Sequence, residues 1–194
     1  GDRDGDGFVE YGRRTEAGLA TQGWKDSSDS VFHADGALAS GPIALVEVQA
    51  YVYAAWRGIA PVAARLGRAE TALDLERAAA DLRRRFDDAF FDAKLGTFVP
   101  ALDGAKRPCR VVASNAGHAL FTGIALPERV ASVAATLMRA DCFSGWGVRT
   151  IAAGQPRYNP MSYHNGSVWP HDNALIAMGL GRYGLRADAA RVFE

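Results

Sequence analysis

The chain has 194 residues, enough to bury one sizeable core, and its 48% hydrophobic content is typical of a folded globular protein rather than a disordered one. Its 22 Lys and Arg are balanced by 22 Asp and Glu, and no basic stripe stands out along the sequence. Binding to a phosphate backbone needs concentrated positive charge, so nucleic acid is not expected as a partner.

The sequence carries no sign of a membrane or secretion signal. No apolar run reaches the length of about 18 residues that crosses a bilayer, so no membrane partner is expected. The first residues, GDRDGDGFVEYGRR, are too acidic for a signal peptide, and a cytoplasmic location is the default expectation. Cys109 and Cys142 have no CxxC spacing and are expected as buried free thiols. The chain begins without Met and ends within a helical pattern, which suggests a fragment of a longer protein.

The first helix is predicted to follow a long loop. Residues 1 to 41 are rich in Gly, Asp and Ser and have no sustained apolar period, which predicts loop. Pro42 suits the first turn of a helix, and nearly every residue from Ile43 to Ala60 is apolar or aromatic apart from Glu47 and Gln49. A helix that is apolar all round is expected to be buried on all sides.

The next segment, residues 69 to 91, predicts a helix with one apolar and one polar face. The apolar face is formed at spacings of three and four by Leu75, Ala79, Leu82, Phe86 and Phe90. The opposite face, expected in solvent, carries Glu76, Arg77, Arg84 and Asp87. This pattern is typical of a surface helix with one buried stripe.

The alternation of an apolar helix with an amphipathic helix then recurs twice. After a hairpin predicted around Leu95 to Asp103, an apolar helix is predicted from Asn115 to Thr122 and an amphipathic one from Pro127. Ser167 to Tyr183 predicts the third apolar helix, and a polar helix begins near Arg186. Three such pairs predict an all-α fold, an (α/α)6 toroid of helical hairpins with about three of six hairpins present and small β-hairpin insertions. An ordinary helical bundle is the alternative.

The segments that lead into the predicted inner helices are expected to converge on one mouth of the ring. They are QGWKDSSDS with HADG (22 to 36), VVASNAGH (111 to 118) and GWGVRTIAAGQPRYNPMSYHNGSVWPHDN (145 to 173). A sugar has apolar C–H faces and a rim of hydroxyls, so its site needs flat aromatic side chains beside polar partners. The aromatic candidates are Trp24, Trp146, Tyr158, Tyr163 and Trp169, and the polar candidates are Asp26, Asp29, Asn115, His118, Arg149, His164, Asn165 and Asp172. Taken singly, most of these aromatic residues fit a core or toroid-lining position better than a sugar site, and it is the presence of three such segments that favours a site.

Glycoside hydrolysis needs two carboxyl groups, one protonated to assist the leaving oxygen and one ionised to activate water or attack carbon. Asp26 is the candidate acid, because Trp24 can limit the access of solvent to it, whereas Lys25 need not face the site. The alternative is that Asp26 caps a loop, or that Asp29 is the N-cap of a helix.

The second carboxylate is harder to assign. Glu47 lies in an apolar run where an unpaired charge would be costly, so it is either a hydrogen-bonded structural residue or a substrate contact. Asp172 is a weak candidate for the second catalytic group.

Two patterns resemble metal sites, but neither is favoured. DRDGDGFVE begins like a calcium loop, with Asp2, Asp4, Asp6 and Gly7 at the first, third, fifth and sixth positions. Arg13 stands where the bidentate Glu is needed, so a tight polar turn is expected instead. The group of His164, His171 and Asp172 lacks the spacing of a standard ligand pair on a helix face. No metal and no cofactor is expected.

Five motifs stand in order along the chain: QGWKDSSDS, DGALASGPIALVEVQAYVYAAW, SNAGHALFTGIA, GWGVRT and YNPMSYHNGSVWPHDNALIAMGL. Together they resemble the bacterial amylo-α-1,6-glucosidase or glycogen-debranching-type glycosidases, a six-hairpin toroid family, over most of residues 1 to 183. The resemblance implies an inverting hydrolase of α-linked glucosides in which the Asp of the WxD segment, here Asp26, is the general acid. It also implies a general base Glu downstream of NGSVWP, and Glu194 is too early to be that residue. Related families act on other α-glucosides or mannosides.

The resulting hypothesis is a partial glycosidase catalytic domain over residues 1 to 194, acting on an oligosaccharide or polysaccharide. Substrate contacts are expected from Trp24, Asp29, Glu47, Asn115, His118, Trp146, Arg149, Tyr163, His164, Asn165, Trp169 and Asp172. The rest of the toroid and the base are expected in a longer parent chain, so these residues alone are expected to be inactive. The alternatives are a non-catalytic carbohydrate-binding module and a lyase or epimerase that uses Tyr163 with His164.

Overall fold

The computed structural model describes residues 1 to 194. Residues 1 to 43 contain no helix or strand. The elements that follow are β1 (Ala44–Leu45), α1 (Val46–Arg65), α2 (Ala69–Phe90), β2 (Phe91–Asp92), β3 (Thr97–Phe98), β4 (Ala101–Leu102), α3 (Ala116–Thr122), α4 (Pro127–Leu137), α5 (Pro170–Arg182) and α6 (Arg186–Phe193). None of the six helices has the length and apolarity needed to span a bilayer.

The helices form two layers, as the alternating apolar and amphipathic patterns predict. In the inner layer, α1 packs against α3 and α3 packs against α5. In the outer layer, α2 covers α1, α4 covers α3 and α6 covers α5. One hydrophobic cluster of 26 buried residues lies between the layers. The three pairs are therefore consecutive helical hairpins of an α/α toroid, and the predicted fold class is confirmed.

The first inner helix begins later than predicted. Pro42 does not open the helix, because the adjoining Ile43 exchanges two backbone hydrogen bonds with Tyr11, at 2.8 and 3.0 Å. Strand β1 then pairs antiparallel with β4, with Ala44 opposite Leu102. These pairings keep the chain extended up to the first residue of α1.

The prediction that the first inner helix is buried on all sides is wrong. Tyr51, Ile59 and Val62 of α1 are exposed. Among the described residues, the neighbouring helices α2 and α3 pack against only part of the circumference of α1. An apolar sequence therefore predicted more burial than these 194 residues provide.

The predicted hairpin lies a few residues earlier than expected. Strands β2 and β3 pair antiparallel, with Phe91 opposite Phe98, so the turn lies at residues 93 to 96 and overlaps the start of the predicted segment. Strand β4 does not join this hairpin and instead pairs with β1. The segment that follows α2 therefore returns to the start of α1, where its strand β4 pairs with β1.

Helix α2 buries the predicted stripe, but one of its polar residues is not in solvent. Leu82, Phe86 and Phe90 are fully buried, as predicted. Asp87 is also buried, which corrects the expectation that it faces water. Arg129 of α4 donates hydrogen bonds from Nε to Oδ1 of Asp87 at 3.1 Å and from Nη2 to Oδ2 at 2.9 Å. This ion pair joins two outer helices.

The loop that resembles a calcium site closes around an ammonium group. Lys106 Nζ lies 3.1 Å from Asp4 Oδ2 and 2.8 Å from Asp6 Oδ2, and it also pairs with the buried carboxylate of Glu10. The carboxylate of Asp2 accepts hydrogen bonds from two backbone N–H groups of the same turn. The ligand atoms of Asp2, Asp4 and Glu10 lie within 4.8 Å of one another.

The two cysteines lie apart in small apolar clusters of their own. Cys109 packs with residues of β1 and β4, whereas Cys142 packs with Val112 and Ala152. Burial raises the pKa of both thiols to about 12. Both thiols are therefore protonated at neutral pH and are poor nucleophiles.

The inner helices α3 and α5 approach each other through glycine. A β-carbon on Gly117 of α3 would lie 2.4 Å from Cγ1 of Ile176, and one on Gly179 of α5 would lie 2.6 Å from the backbone nitrogen of Phe121. Distances this short require atoms to move, and the second involves backbone. The separation between α3 and α5 is therefore set by the absence of side chains at these positions.

Gly179→Ala is expected to destabilise the protein, because the added methyl group must separate α3 from α5. Overpacking of this kind costs about 1 to 3 kcal/mol. Gly181→Ala is the matched control in the same helix, since a β-carbon there has no atom within 4 Å. Alanine at that site should be neutral or stabilise the helix by up to about 1 kcal/mol. Denaturant unfolding curves of both variants measure the difference, and equal stabilities would contradict this explanation of the helix contact.

Candidate active site

The three loop segments that precede the inner helices meet at one end of the inner layer. Glu47 lies in the first turn of α1, Asn115 directly precedes α3, and Asp172 lies in the first turn of α5. Trp24 of the N-terminal segment lies over His118 of α3. Residues separated by more than a hundred positions are therefore brought into one site by the packing of three helix N-termini.

Trp24 is at the centre of this site. Its ring centroid lies 4.9 Å from that of His171, 5.7 Å from that of His164 and 6.0 Å from that of His118. We call the aromatic cluster the set formed by Trp24, His118, Tyr163, His164, Trp169 and His171. His171 was considered from the sequence only as part of a disfavoured metal site, so its membership of this cluster was missed.

The segment before α5 is held in place by side-chain hydrogen bonds to backbone. Trp169 Nε1 donates to the carbonyl oxygen of Tyr163 at 2.8 Å. Asn173 Oδ1 accepts from the backbone N–H of Val148 at 2.6 Å, and its Nδ2 donates to the carbonyl oxygen of Trp169 at 3.0 Å. These bonds keep Trp169 extended, so α5 starts at Pro170 rather than at the predicted Ser167. Asn173 is a buried positioning residue that the sequence did not single out.

Glu47 is buried and hydrogen-bonded. Its Oε2 accepts a hydrogen bond from Asn115 Nδ2 at 3.0 Å, and both side chains are almost fully buried. A β-carbon on Gly23 would lie 3.3 Å from Glu47 Oε1, so the N-terminal segment passes close over this carboxylate. Of the two roles considered for Glu47, the hydrogen-bonded one is observed. The partner that makes it possible is Asn115, another predicted site residue.

His118 and Asp172 also bond to each other. His118 Nε2 lies 2.7 Å from Asp172 Oδ1, and the side chains of these residues are 1% and 0% exposed. On its other side, His118 Nδ1 pairs with the hydroxyl of Tyr51. Tyr51 is 40% exposed and was not among the predicted site residues. Its position in an apolar helix gave no sign of this contact.

Lys25 points into the protein, contrary to the expectation that it need not face the site. It is buried, its Nζ donates to the carbonyl oxygen of Thr150 at 2.6 Å, and the same atom lies 5.1 Å from the ring centroid of Trp24. Burial lowers the pKa of Lys25 to about 8, while the charges of Asp172 and Glu47 oppose this change. A positive charge therefore lies beneath the aromatic cluster, close to two buried acids.

Asp26 lies on the open side of the site. Trp24 was expected to shield Asp26 from solvent. Within the described residues it does not, because the Asp26 side chain is 59% exposed. The nearest basic atom is Nδ1 of His164, 3.9 Å from Asp26 Oδ1. Burial lowers the pKa of His164, and the charge of Asp26 opposes this change. Ser27 also contacts His164, with 2.8 Å between its Oγ and Nδ1.

Asp29 is more constrained than Asp26. Its Oδ2 accepts a hydrogen bond from Nδ2 of the buried Asn165 at 3.0 Å. The backbone carbonyl of Asp29 is 3.3 Å from the same nitrogen. Asn165 therefore fixes the turn that carries both aspartates.

Two of the predicted aromatic residues, Trp146 and Tyr158, are not members of the aromatic cluster, and the predicted Arg149 bonds to backbone elsewhere. Trp146 is 92% exposed and lies beside Val192 and Phe193 of α6. Arg149 donates from Nη1 to the carbonyl oxygen of Ala140 at 3.4 Å. Tyr158 lies against Gly166, where a β-carbon would be 2.8 Å from its ring. The proposed sugar contacts of Trp146 and Arg149 have no support from the contacts of these side chains.

A model of the family described as "Mannosylglycerate hydrolase MGH1-like glycoside hydrolase domain" matches residues 8–194. The chain belongs to this family. Mannosylglycerate hydrolase MGH1 of Selaginella moellendorffii is 32% identical over 108 residues, which are 54% of this chain and 22% of that protein. The MGH1-like domain thus spans about a fifth of the length of the curated relatives that it matches.

Solved structures share the fold of this MGH1-like domain. The GH63 mannosylglycerate hydrolase of Thermus thermophilus, in complex with glucose, has a TM-score of 0.64 at 23% identity, covering 78% of this chain and 38% of that one. The neutral trehalase Nth1 of Saccharomyces cerevisiae has a TM-score of 0.66 at 14% identity, covering 83% and 32%. The predicted six-hairpin glycosidase superfamily is confirmed, whereas the family match is not to amylo-α-1,6-glucosidases.

The buried Lys25 should make stability depend on alkaline pH. Its pKa is about 8 in the folded protein and 10.5 for an unperturbed side chain, so the unfolded chain binds more protons between these values. The free energy of unfolding therefore rises as pH increases from 8 to 10.5, by about 3 kcal/mol in full.

Denaturant unfolding of the unmutated protein and of Lys25→Met, from about pH 7 to 10.5, measures this contribution. The variant retains the other titrating groups, so the difference between the two curves isolates Lys25. We expect the stability of the unmutated protein to increase relative to the variant above pH 8. If the free energies of unfolding of the two proteins change in parallel with pH, burial of the Lys25 ammonium has no cost in free energy.

Proposed function

We propose that the protein is an inverting glycoside hydrolase that cleaves an α-linked sugar from a small carboxylate-bearing aglycone. The main support is the family match over residues 8–194, together with the names of the mannosylglycerate hydrolase relatives. The site adds a second line of support, because two aspartates lie next to an aromatic cluster at the helix N-termini. This combination of flat apolar surfaces and carboxyl groups suits a glycosidic substrate.

The sugar is proposed to pack against the accessible part of the aromatic cluster. Trp24 and Trp169 are half-buried and Tyr163 is exposed, so these rings can contact the apolar face of a pyranose. Glu47, Asn115 and Asn165 are buried behind them and are assigned to holding the site in shape. The hydroxyl groups of the sugar are assigned to the exposed polar groups at the edge of the cluster.

Asp26 is proposed to act as the general acid. Its protonated carboxyl group donates a proton to the glycosidic oxygen as the bond from that oxygen to the anomeric carbon breaks. A water molecule attacks the anomeric carbon from the opposite face, and a base accepts the proton that the water loses. Atoms and charge balance, and the sugar is released with inverted configuration.

The base is proposed to be a Glu from a part of the protein outside residues 1–194. Within these residues, Glu47 accepts a bond from Asn115 and Asp172 pairs with His118, and both carboxylates are buried. An inverting base must stand about 6.5 to 9.5 Å from the acid, with room for water between them. A carboxylate on the far side of the sugar meets that requirement, whereas Glu47 and Asp172 are buried and already bonded to protein partners.

A neutral α-glucoside, such as an α-1,6-linked one, is the alternative substrate. The observation that favours it is the charge of the site. The exposed Asp26 and the half-buried Asp29 flank the cluster, whereas Lys25, whose ammonium contacts the Trp24 ring, is buried. A carboxylate-bearing aglycone needs a cation near it, which would have to come from elsewhere in the protein.

Asp26→Asn should lower the rate of hydrolysis by about 100-fold to 10,000-fold, because a positioned acid contributes that much to proton transfer. An α-glycosyl fluoride needs no proton on its leaving group, so its hydrolysis by the variant should stay near the unmutated rate. Steady-state kinetics of the full-length protein with both substrates measures this contrast.

Asp29→Asn is the matched control for the acid. It changes a neighbouring carboxylate that accepts a bond from Asn165, and a loss below about 10-fold on both substrates is expected because only one supporting hydrogen bond changes. If Asp29→Asn instead loses the natural substrate and keeps the fluoride, the acid is Asp29 and the assignment to Asp26 is wrong.

The substrate class is tested by comparing α-mannosylglycerate with an α-1,6-linked glucose disaccharide. We expect kcat/KM to be at least about 10-fold higher for α-mannosylglycerate, since a site that pairs with a polar aglycone discriminates against a substrate lacking it. The reverse order would favour the α-1,6-glucosidase alternative. Binding of both sugars without turnover by the unmutated protein would identify a carbohydrate-binding module instead.

A further inference from the structure

Three side chains from three inner helices form a continuous hydrogen-bonded chain beneath the site. Asp172 of α5 contacts His118 of α3 at 2.7 Å, and His118 contacts the hydroxyl of Tyr51 on α1. The first two are almost fully buried, while Tyr51 is 40% exposed. This series of hydrogen bonds therefore runs from the interior of the domain to a partly exposed residue, and it ends on the oxygen of Tyr51.

The buried acid determines which nitrogen of His118 carries the proton. An ionised carboxylate only accepts hydrogen bonds, so His118 Nε2 must donate to Asp172. In the neutral imidazole, Nδ1 is then an acceptor, and the bond to Tyr51 requires the tyrosine O–H to donate inward. The lone pairs of the Tyr51 oxygen are then the groups that it can offer to a further hydrogen-bond donor.

The surroundings keep this arrangement in one orientation. The ring of Trp24 is nearly parallel to that of His118, with an interplanar angle of 11° and centroids 6.0 Å apart. The ammonium of Lys25 attracts the carboxylate of Asp172. Burial raises the pKa of Tyr51, and the charges of Glu47 and Asp172 raise it further, so the phenol keeps its proton.

The position of Tyr51 places its oxygen at the edge of the aromatic cluster. Tyr51 is four residues after Glu47 in α1, so both side chains project from the same face of the helix. Glu47 is buried at the helix N-terminus, whereas the Tyr51 ring centroid lies 5.8 Å from that of His118 with part of the ring exposed.

We infer that Tyr51 is a substrate-contacting residue whose oxygen accepts a hydrogen bond from a sugar hydroxyl, and that His118 and Asp172 are positioning residues that fix it as an acceptor. The inference rests on the proposed function of the site as a carbohydrate site. It adds a specificity element, because a hydroxyl group can donate to this oxygen while an ether, a fluorine or a hydrogen at the same place cannot.

The tautomer of His118 tests the positioning part without any sugar. Protein labelled with ¹⁵N in histidine, with the signal assigned by a His118→Gln variant, should show a protonated Nε2 and an unprotonated Nδ1 at neutral pH. Tyr51→Phe should shift the Nδ1 resonance, because it removes the donor to that atom. Tyr183→Phe is the matched control, since it removes a hydrogen bond to the carbonyl of Ala125 and should leave His118 unchanged. A protonated Nδ1 in the unmutated protein would overturn the inference.

The contact with sugar is tested by a double-mutant cycle in the full-length protein, with mannose and glucose as probes in titration calorimetry. Tyr51→Phe should weaken binding of the tighter-binding sugar about 10-fold, because it removes one hydrogen bond to the ligand, and Tyr183→Phe should leave the affinity unchanged. Asp172→Asn should also weaken binding, but it should have no further effect in the Tyr51→Phe background, because it acts through the tyrosine.

Two results would contradict the sugar contact. One is an affinity of Tyr51→Phe equal to that of the control, and the other is an equal weakening by Asp172→Asn in both backgrounds. Hydrolysis of α-mannosylglycerate with an unchanged affinity in Tyr51→Phe would overturn this inference and leave the proposed function intact. Coupled effects on sugar binding, without hydrolysis by the unmutated protein, would overturn the proposed function and support the role of Tyr51.

Discussion

The close approach of α3 and α5 is the constraint on which the site depends. Gly117 and Gly179 leave no room for side chains between these helices, and the short separation lets His118 of one reach Asp172 of the other. Trp24 then lies flat over His118, and the remaining rings of the aromatic cluster surround that tryptophan. Helix packing therefore sets the position of the aromatic cluster. The inner helices fix His118 and Asp172, and the loop residues pack around that pair.

Charge beneath the aromatic cluster is arranged so that no buried acid lacks compensation. Glu47 receives a hydrogen bond from Asn115, and Asp172 receives one from His118. Lys25 adds a positive charge near both, held by the carbonyl of Thr150. Each of these groups would be costly to bury alone, because a desolvated charge loses its hydration without replacement. Together they form a polar interior that favours one orientation of the His118 ring. Because the Tyr51 hydroxyl bonds to that ring, its orientation is favoured as well.

The sequence predicts the layers well because their signal is local. Apolar spacing along α2 identified Leu82 and Phe86 as buried, and the structure confirms both. Prediction from sequence failed where the burial of a residue depends on a partner that is distant in the sequence. Asp87 was predicted to face solvent but pairs with Arg129 of another helix, and Lys25, which was not expected to face the site, is buried beneath it. The exposed face of α1 is a further prediction that failed. An apolar sequence indicates a preference for burial but does not identify the element that covers it.

The predicted site residues divide by burial in a way that composition alone could not anticipate. Polar residues near helix N-termini were predicted to be sugar contacts, yet Asn115, His118 and Asp172 are buried and bond within the protein. The residue that links this buried network to the surface is Tyr51, which is 40% exposed and lies in an apolar helix that the pattern assigned to the core. A buried polar residue needs a partner, and the partners of Asp172 and His118 lead outward to the hydroxyl of Tyr51, which we infer to contact the sugar. The specificity inferred for Tyr51 therefore rests on its hydrogen bond to His118, because its place in an apolar helix indicates packing alone.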